Sequence, residues 1–285
     1  MILSLLSYPL MSEALTKRVT PDILCGICQE NRIHSIDLME LELRLYGRKK
    51  LKNAMSRNGI RCGCLIANID FLVFPNRAKH HLEKALGNCE LMGCKTLMVV
   101  PGYPVDRGLI RLRMLDRSAM MDEAVRFFTL AVEEAKKHGI TVGLEDSPQK
   151  DKPFCSVSEM KTLLTRVPGL GLILDTGNIF IADPGADLLE YYEELKPWVT
   201  RIHLKDVVRR KRPGTEKCVD GLNIIPVATG KGILPMQDFL RKLKTDGYDG
   251  ALCIEYAPVR GIHGKGHREA LTAYAEFVRQ AWSGR

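Results

Sequence analysis

Four short apolar runs in the second half of the chain each end in a side chain that binds cations. They are Thr141-Val-Gly-Leu-Glu145, Leu170-Gly-Leu-Ile-Leu-Asp175, Val199-Thr-Arg-Ile-His203 and Ala251-Leu-Cys-Ile-Glu255. Runs of this kind mark strands buried on both faces, as in a parallel sheet. If the four lie side by side, Glu145, Asp175, His203 and Glu255 converge at one rim. Three carboxylates and an imidazole suit one hard or borderline divalent ion, with Mn²⁺ first and Mg²⁺, Co²⁺ or Zn²⁺ as alternatives. Each residue also has a plainer reading. Glu145 can cap a helix, Asp175 before Thr-Gly-Asn can hold a turn, His203 can sit satisfied in the core, and Glu255 can pair with a lysine. Four such coincidences at successive strand ends are harder to accept than one metal site, because buried carboxylates need a cation or another partner.

The elements that must position these residues alternate strand and helix from end to end. Strand-like runs fall near 2–8, 36–45, 62–73, 96–101, 141–146, 170–175, 199–207 and 250–256. Helical periodicity is clearest from Ser118 to His138, stopped by Gly139; further helices cover about Val157 to Arg166 and Asp187 to Lys196, each ahead of a proline. Eight strands with intervening helices predict an α/β fold, a (β/α)8 TIM barrel forming a single domain over residues 1–285. The proposed ligands are separated by 30, 28 and 52 residues. The first two gaps match one strand–helix unit of about 30–36 residues, and the third leaves room for a long basic loop after His203. An open doubly wound sheet is disfavoured, since no Gly-x-Gly-x-x-Gly follows the first strand.

Composition narrows the setting. The chain has 285 residues, 45% of them apolar, and no apolar window long enough to span a membrane. Its first residues lack a basic leader and a cleavage site, and read as a first strand rather than a signal peptide. Nine cysteines, scattered singly among apolar neighbours, suit buried thiols in a reducing cytoplasm. Cys25-x-x-Cys28 and Cys62-x-Cys64 could hold zinc together, but their helix-like and strand-like settings favour a packing role. The net charge is +8, and Lys205, Arg209, Arg210, Lys211 and Arg212 cluster just after His203. That run can attract phosphates or acids, while the absence of interleaved aromatic residues argues against a nucleic-acid partner.

Several motifs occur in a fixed order: Thr96-Leu-Met-Val-Val-Pro-Gly102, Gly139-Ile-Thr-Val-Gly-Leu-Glu-Asp146, Leu174-Asp-Thr-Gly-Asn178, Arg201-Ile-His-Leu-Lys-Asp206, Gly230-Lys-Gly232 and Gly247-Tyr-Asp-Gly-Ala-Leu-Cys-Ile-Glu255. With them the chain resembles the xylose isomerase-like TIM-barrel superfamily, in its sugar phosphate isomerase/epimerase branch, over nearly its whole length. The resemblance implies one divalent metal held by Glu145, Asp175, His203 and Glu255. It also implies that Glu145 and Glu255 are catalytic and exchange protons with the substrate on either side of a carbon next to a polarised carbonyl. Asn178 stands where many relatives carry histidine, which suits a substrate hydroxyl and disfavours a three-metal cluster. Lys205 shares the strand face of His203 and is expected to bind substrate, whereas Asp206 faces away and is expected to brace the barrel. Arg209, six residues past His203, holds the place of a substrate-binding arginine. Glu40 matches a glutamate that faces the substrate; its plainer reading is a salt-bridged strand residue.

The implied activity is a divalent-metal-dependent isomerase or epimerase of a small ketose, sugar phosphate or sugar acid. Homo-oligomers are common among relatives. An inosose dehydratase-like lyase is the first alternative, and a non-catalytic sugar-binding barrel is another. An apurinic endonuclease-like enzyme fits less well, because His34, His80, His81, His138, His263 and His267 do not end the required strands.

Overall fold

Val, Ile and Leu dominate the runs that become strands, and their burial on both faces makes them pair in parallel. In the computed structural model, which describes residues 1–101, 116–146, 152–211, 216–218, 220–256 and 265–284, eight of them close into a barrel. They are β1 (Ile2–Leu6), β2 (Ser35–Met39), β3 (Arg61–Asn68), β4 (Thr96–Val100), β5 (Thr141–Glu145), β6 (Gly171–Asp175), β7 (Val199–Leu204) and, beyond an inserted sheet, β11 (Ala251–Ile254). Around the barrel the order is β1-β11-β7-β6-β5-β4-β3-β2, so each strand lies beside its sequence neighbour within the closed sheet. This is a (β/α)8 TIM barrel, as the strand–helix alternation predicts.

Helices cover the outside. The long one at Arg117–Lys137 starts with Asp116 accepting the Ala119 N–H at 2.7 Å, and buries Ala124, Phe127, Phe128, Ala131 and Ala135 along one side. Phe127 stacks on Phe71 at 4.4 Å between ring centroids. Ser156 and Glu159 form a reciprocal cap on the helix Val157–Arg166. Among the described residues no helix is long and apolar enough to cross a membrane.

Two stretches differ from the sequence reading. The run 36–45 is a strand only to Met39, and Glu40–Tyr46 is helix. Alternating Leu41, Leu43 and Leu45 mimic a strand, but the Glu42 carboxylate accepts the Met39 N–H at 2.9 Å and caps a helix instead; Leu41 and Leu45 are exposed. The basic stretch after His203 is a three-stranded antiparallel sheet rather than a loop: β8 (Asp206–Arg210) pairs with β10 (Asn223–Val227), which pairs with β9 (Glu216–Lys217). Ile224 and Ile225 carried that signal, interrupted at once by Pro226. Arg212 and His263 lie outside the described residues. Cys25 and Cys28 are buried in the helix Pro21–Glu30, while Cys64 lines the barrel interior and Cys62 packs outside it, so the four thiols form no zinc site.

The barrel interior holds one polar layer. An apolar cluster of Leu6, Cys64, Ile66, Met98, Ile173 and Cys253 shares the interior with it. In the polar layer Asp37 accepts hydrogen bonds from Ser4 Oγ and Arg201 Nη2, each at 2.6 Å, and Arg201 Nε adds a third. Room for the guanidinium comes from Gly63, beside a register shift between β2 and β3. A Cβ at Gly63 would lie 2.2 Å from Ser35 Oγ and 2.5 Å from Arg201 Nη2. Gly63→Ala is therefore expected to destabilise the fold by about 1–3 kcal/mol through overpacking, read from urea unfolding; unchanged stability would show that the interior pair can shift freely.

Candidate metal centre

The four predicted ligands sit at the carboxyl ends of neighbouring strands, and strand register sets their heights. Asp175 pairs across to His203, His203 to Cys253, and Glu145 to Ile173. Glu255, one residue beyond β11, is fixed by its own N–H donating to Leu204 C=O at 3.1 Å. Glu145, Asp175, His203 and Glu255 each bring one ligand atom into a group whose members all lie within 4.8 Å of one another. Asp175 and His203 are fully buried, whereas the side chains of Glu145 and Glu255 keep 22% and 15% of their surface exposed. The two glutamates thus form the open side of the cluster.

Asp175 does two jobs. Its Oδ1 accepts the N–H of Gly177 at 2.7 Å and of Asn178 at 3.0 Å, holding the turn after β6. Its Oδ2 faces the centre, 2.8 Å from Lys205 Nζ. The same ammonium lies 2.8 Å from Glu255 Oε1 and donates to Asn178 Oδ1 at 3.1 Å. Asn178 in turn donates to the Asp146 backbone carbonyl at 3.1 Å. Lys205 and Asn178 therefore stand beside the four candidate ligands. His203 turns Nδ1 towards Glu145 Oε1 at 2.7 Å and Nε2 towards Asp37 Oδ2 at 3.5 Å.

Two predicted site residues are not brought into the cluster. Glu40 has both oxygens engaged by the helix Pro75–Met92: Oε1 accepts from Asn88 Nδ2 at 2.9 Å, and Oε2 lies 2.8 Å from His81 Nε2. Burial alone would raise its carboxyl, but the His81 hydrogen bond holds it below the usual range. Glu40 thus ties the end of β2 to a helix, through partners too distant in sequence for a strand pattern to reveal. Arg209, on β8, engages Asp220 and the Pro184 carbonyl rather than the four ligands. Asp206 braces its surroundings, as expected: its Oδ2 accepts Gly230 N–H at 2.8 Å and Gly232 N–H at 2.9 Å. That close approach explains the Gly-Lys-Gly motif, since a Cβ at Gly232 would sit 1.9 Å from Asp206 Oδ1.

The sequence reading missed Ser4, Asp37, Arg201 and Asp146. The available signal was a lone charged residue inside an apolar parallel strand, as in Ser35-Ile-Asp-Leu-Met39 and Val199-Thr-Arg-Ile-His203. Asp146 is buried and accepts the Asp175 N–H at 2.6 Å. Burial and the charge of Asp175 push its carboxyl well above the usual carboxylate range.

Electrostatics favour a cation at this point. Burial alone would lower the His203 imidazole, but the Asp37 and Glu145 carboxylates that face it push it up to about 10. Burial pushes the Glu255 carboxyl up to about 8 despite the opposing charge of Lys205. Burial would raise Asp175, yet Lys205 holds it low. The chain alone therefore gathers an ammonium, an imidazolium and a proton to offset its carboxylates. A hard divalent ion fits the same donor set. Asp37, His203 and Cys253 also lie close together, but the Arg201 guanidinium already neutralises Asp37 and burial keeps the Cys253 thiol protonated.

The model of the xylose isomerase-like TIM barrel family matches residues 29–279. The chain belongs to this family. No curated protein matches the sequence. Among solved structures, the probable 3-DHS dehydratase AsbF of petrobactin synthesis from Bacillus anthracis superposes with a TM-score of 0.77 at 15% identity, covering 98% of this chain and 99% of that one. The IolI protein, solved with a bound zinc atom, gives 0.75 at 15% identity over 100% and 99% of the two chains. The 3-keto-D-glucoside 4-epimerase YcjR from E. coli gives 0.70 at 14% identity over 92% and 94%. Identities this low establish a shared fold. Proteins named as an epimerase and as a probable dehydratase thus share this fold.

The sign of the pH dependence follows from the two raised groups. At pH 7 the metal-free chain holds a proton on His203, raised to about 10, and mostly one on Glu255, raised to about 8. A bound cation must displace both, so its affinity should rise with pH up to those values, with about two protons released per ion near pH 7. Calorimetry in buffers of different ionisation enthalpy measures that number; no proton release would contradict this account of the charge balance.

Proposed function

We propose that this chain is a divalent-metal-dependent isomerase or epimerase acting on a small ketose, sugar phosphate or sugar acid by proton transfer next to a carbonyl. The observation that carries this reading is the division of labour within one cluster. Asp175 and His203 are fully buried anchors, while Glu145 and Glu255 flank them from β5 and β11 with carboxylates still open to solvent. A divalent ion bound there would polarise the substrate carbonyl as a Lewis acid, which acidifies the neighbouring C–H.

The remaining steps belong to the side chains. One glutamate removes the proton from the carbon beside the carbonyl, and the other returns a proton to the opposite face. Lys205, with its ammonium among Asp175, Glu255 and Asn178, supplies positive charge and a donor for a substrate oxygen. Asn178 supplies an amide for a hydroxyl group. Glu40 and Arg209 are left out of this scheme, because Asn88 and His81 hold the Glu40 carboxylate and the Arg209 guanidinium turns to Asp220.

The likeness to a barrel named as a probable dehydratase keeps a second reading in view. A lyase would share the first proton abstraction and then expel a β-hydroxyl, with Lys205 placed to protonate the leaving oxygen. Incubating metal-loaded protein with a panel of ketoses and keto-inositols in D₂O tests both. Deuterium beside the carbonyl without loss of water supports the isomerase; a conjugated chromophore supports the lyase. Glu145→Gln and Glu255→Gln are each expected to reduce exchange by about 10²–10⁴-fold, and exchange retained in either variant removes that residue from the mechanism.

A further inference from the structure

Directly behind the candidate metal centre lies a buried ion pair that takes no part in the proton transfer proposed above. Asp37 and Ser4 are fully buried and Arg201 nearly so. The Arg201 guanidinium grips both oxygens of Asp37 through Nε and Nη2, and Ser4 Oγ donates to Oδ1 at 2.6 Å. Arg201 also donates to the Gly63 carbonyl at 3.4 Å. Apolar side chains would fill this space without desolvating two charges, so the barrel has no packing need for the pair.

Asp37 also faces His203. The Nε2 of that ring is buried, faces Asp37 Oδ2 at 3.5 Å, and makes no hydrogen bond as it stands. The opposite nitrogen, Nδ1, faces Glu145 at 2.7 Å and Glu255 at 3.9 Å. A neutral imidazole carries one proton and presents one lone pair, and the acceptor beside one nitrogen decides where each goes. The Cys253 thiol is also near this side of the ring but is a poor acceptor beside a carboxylate.

We infer that Asp37, locked in place by Arg201 and Ser4, is a positioning residue that keeps the His203 proton on Nε2 and so presents the Nδ1 lone pair to the cation. Arg201 fixes the carboxylate by two parallel hydrogen bonds, a geometry a lysine could not reproduce. Gly63 completes the device, since any side chain there would collide with Ser35 and Arg201. The inference rests on the metal reading of the preceding subsection. It extends that reading to residues donated by β1, β2, β3 and β7.

Two measurements test it. In the Zn²⁺-loaded wild-type protein, nitrogen-15 histidine spectra should show His203 protonated at Nε2 and coordinated through Nδ1; the opposite assignment overturns the inference without any substitution. The second uses Asp37→Asn combined with Arg201→Gln, which removes both charges together and leaves no guanidinium stranded. With the fold verified by circular dichroism, Co²⁺ affinity should fall about 10–100-fold and the visible absorption of the bound Co²⁺ should change. A folded double variant with wild-type affinity and spectrum overturns the inference alone. A wild-type chain that binds neither Zn²⁺ nor Co²⁺ overturns the metal reading with it.

Discussion

Three carboxylates and an imidazole cannot share a space in which their ligand atoms lie within 4.8 Å of one another unless something positive sits among them. Much of the molecule is arranged around that constraint. Lys205 bridges Asp175 and Glu255, His203 is held as an imidazolium between Asp37 and Glu145, and the Asp146 carboxyl behind Asp175 is pushed well up. These are the means by which a protein holds mutually repelling groups ready for an ion. They also explain why the turn after β6 must be Thr-Gly-Asn. A Cβ at Gly177 would lie 2.9 Å from the Lys205 stem, so a larger residue there would displace the ammonium.

The barrel contributes rigidity of two kinds. Its parallel register sets the height of each ligand, so Asp175 and His203 stand side by side without help from any loop. Its interior adds a polar layer in which Ser4, Asp37 and Arg201 back the histidine from below. A site built on strand ends and supported from within the barrel is held more firmly than one built on loops. The inserted sheet after His203 plays a different part. Asp206 gathers the backbone N–H groups of Gly230 and Gly232, which anchors the far side of the insertion beside the mouth.

The fold and the meeting of Glu145, Asp175, His203 and Glu255 were legible because both follow from local patterns. Apolar runs ending in Glu, Asp or His, at intervals of one strand–helix unit, leave little choice of architecture. What could not be read depends on distant partners. Glu40 follows a strand like a site residue, and only the folded chain brings its carboxylate to His81 and Asn88. Arg209 holds the position of a substrate arginine by count, yet Asp220, on the same inserted sheet, captures its guanidinium. The helix at Glu40–Tyr46 was hidden by alternating leucines, and a single carboxylate cap decides it. Asp37 and Arg201 are separated by 164 residues, and no pattern within either strand announces their meeting.

The central claim is that the mouth of this barrel is a site for one divalent ion. Equilibrium dialysis of chelator-treated protein against Mn²⁺, with the thermal midpoint followed in parallel, tests it most directly. The account predicts one ion bound per chain, a midpoint that climbs with ion concentration as linkage requires, and loss of both effects in Asp175→Ala. A wild-type protein that takes up no ion and melts at the same temperature with or without it would contradict the account.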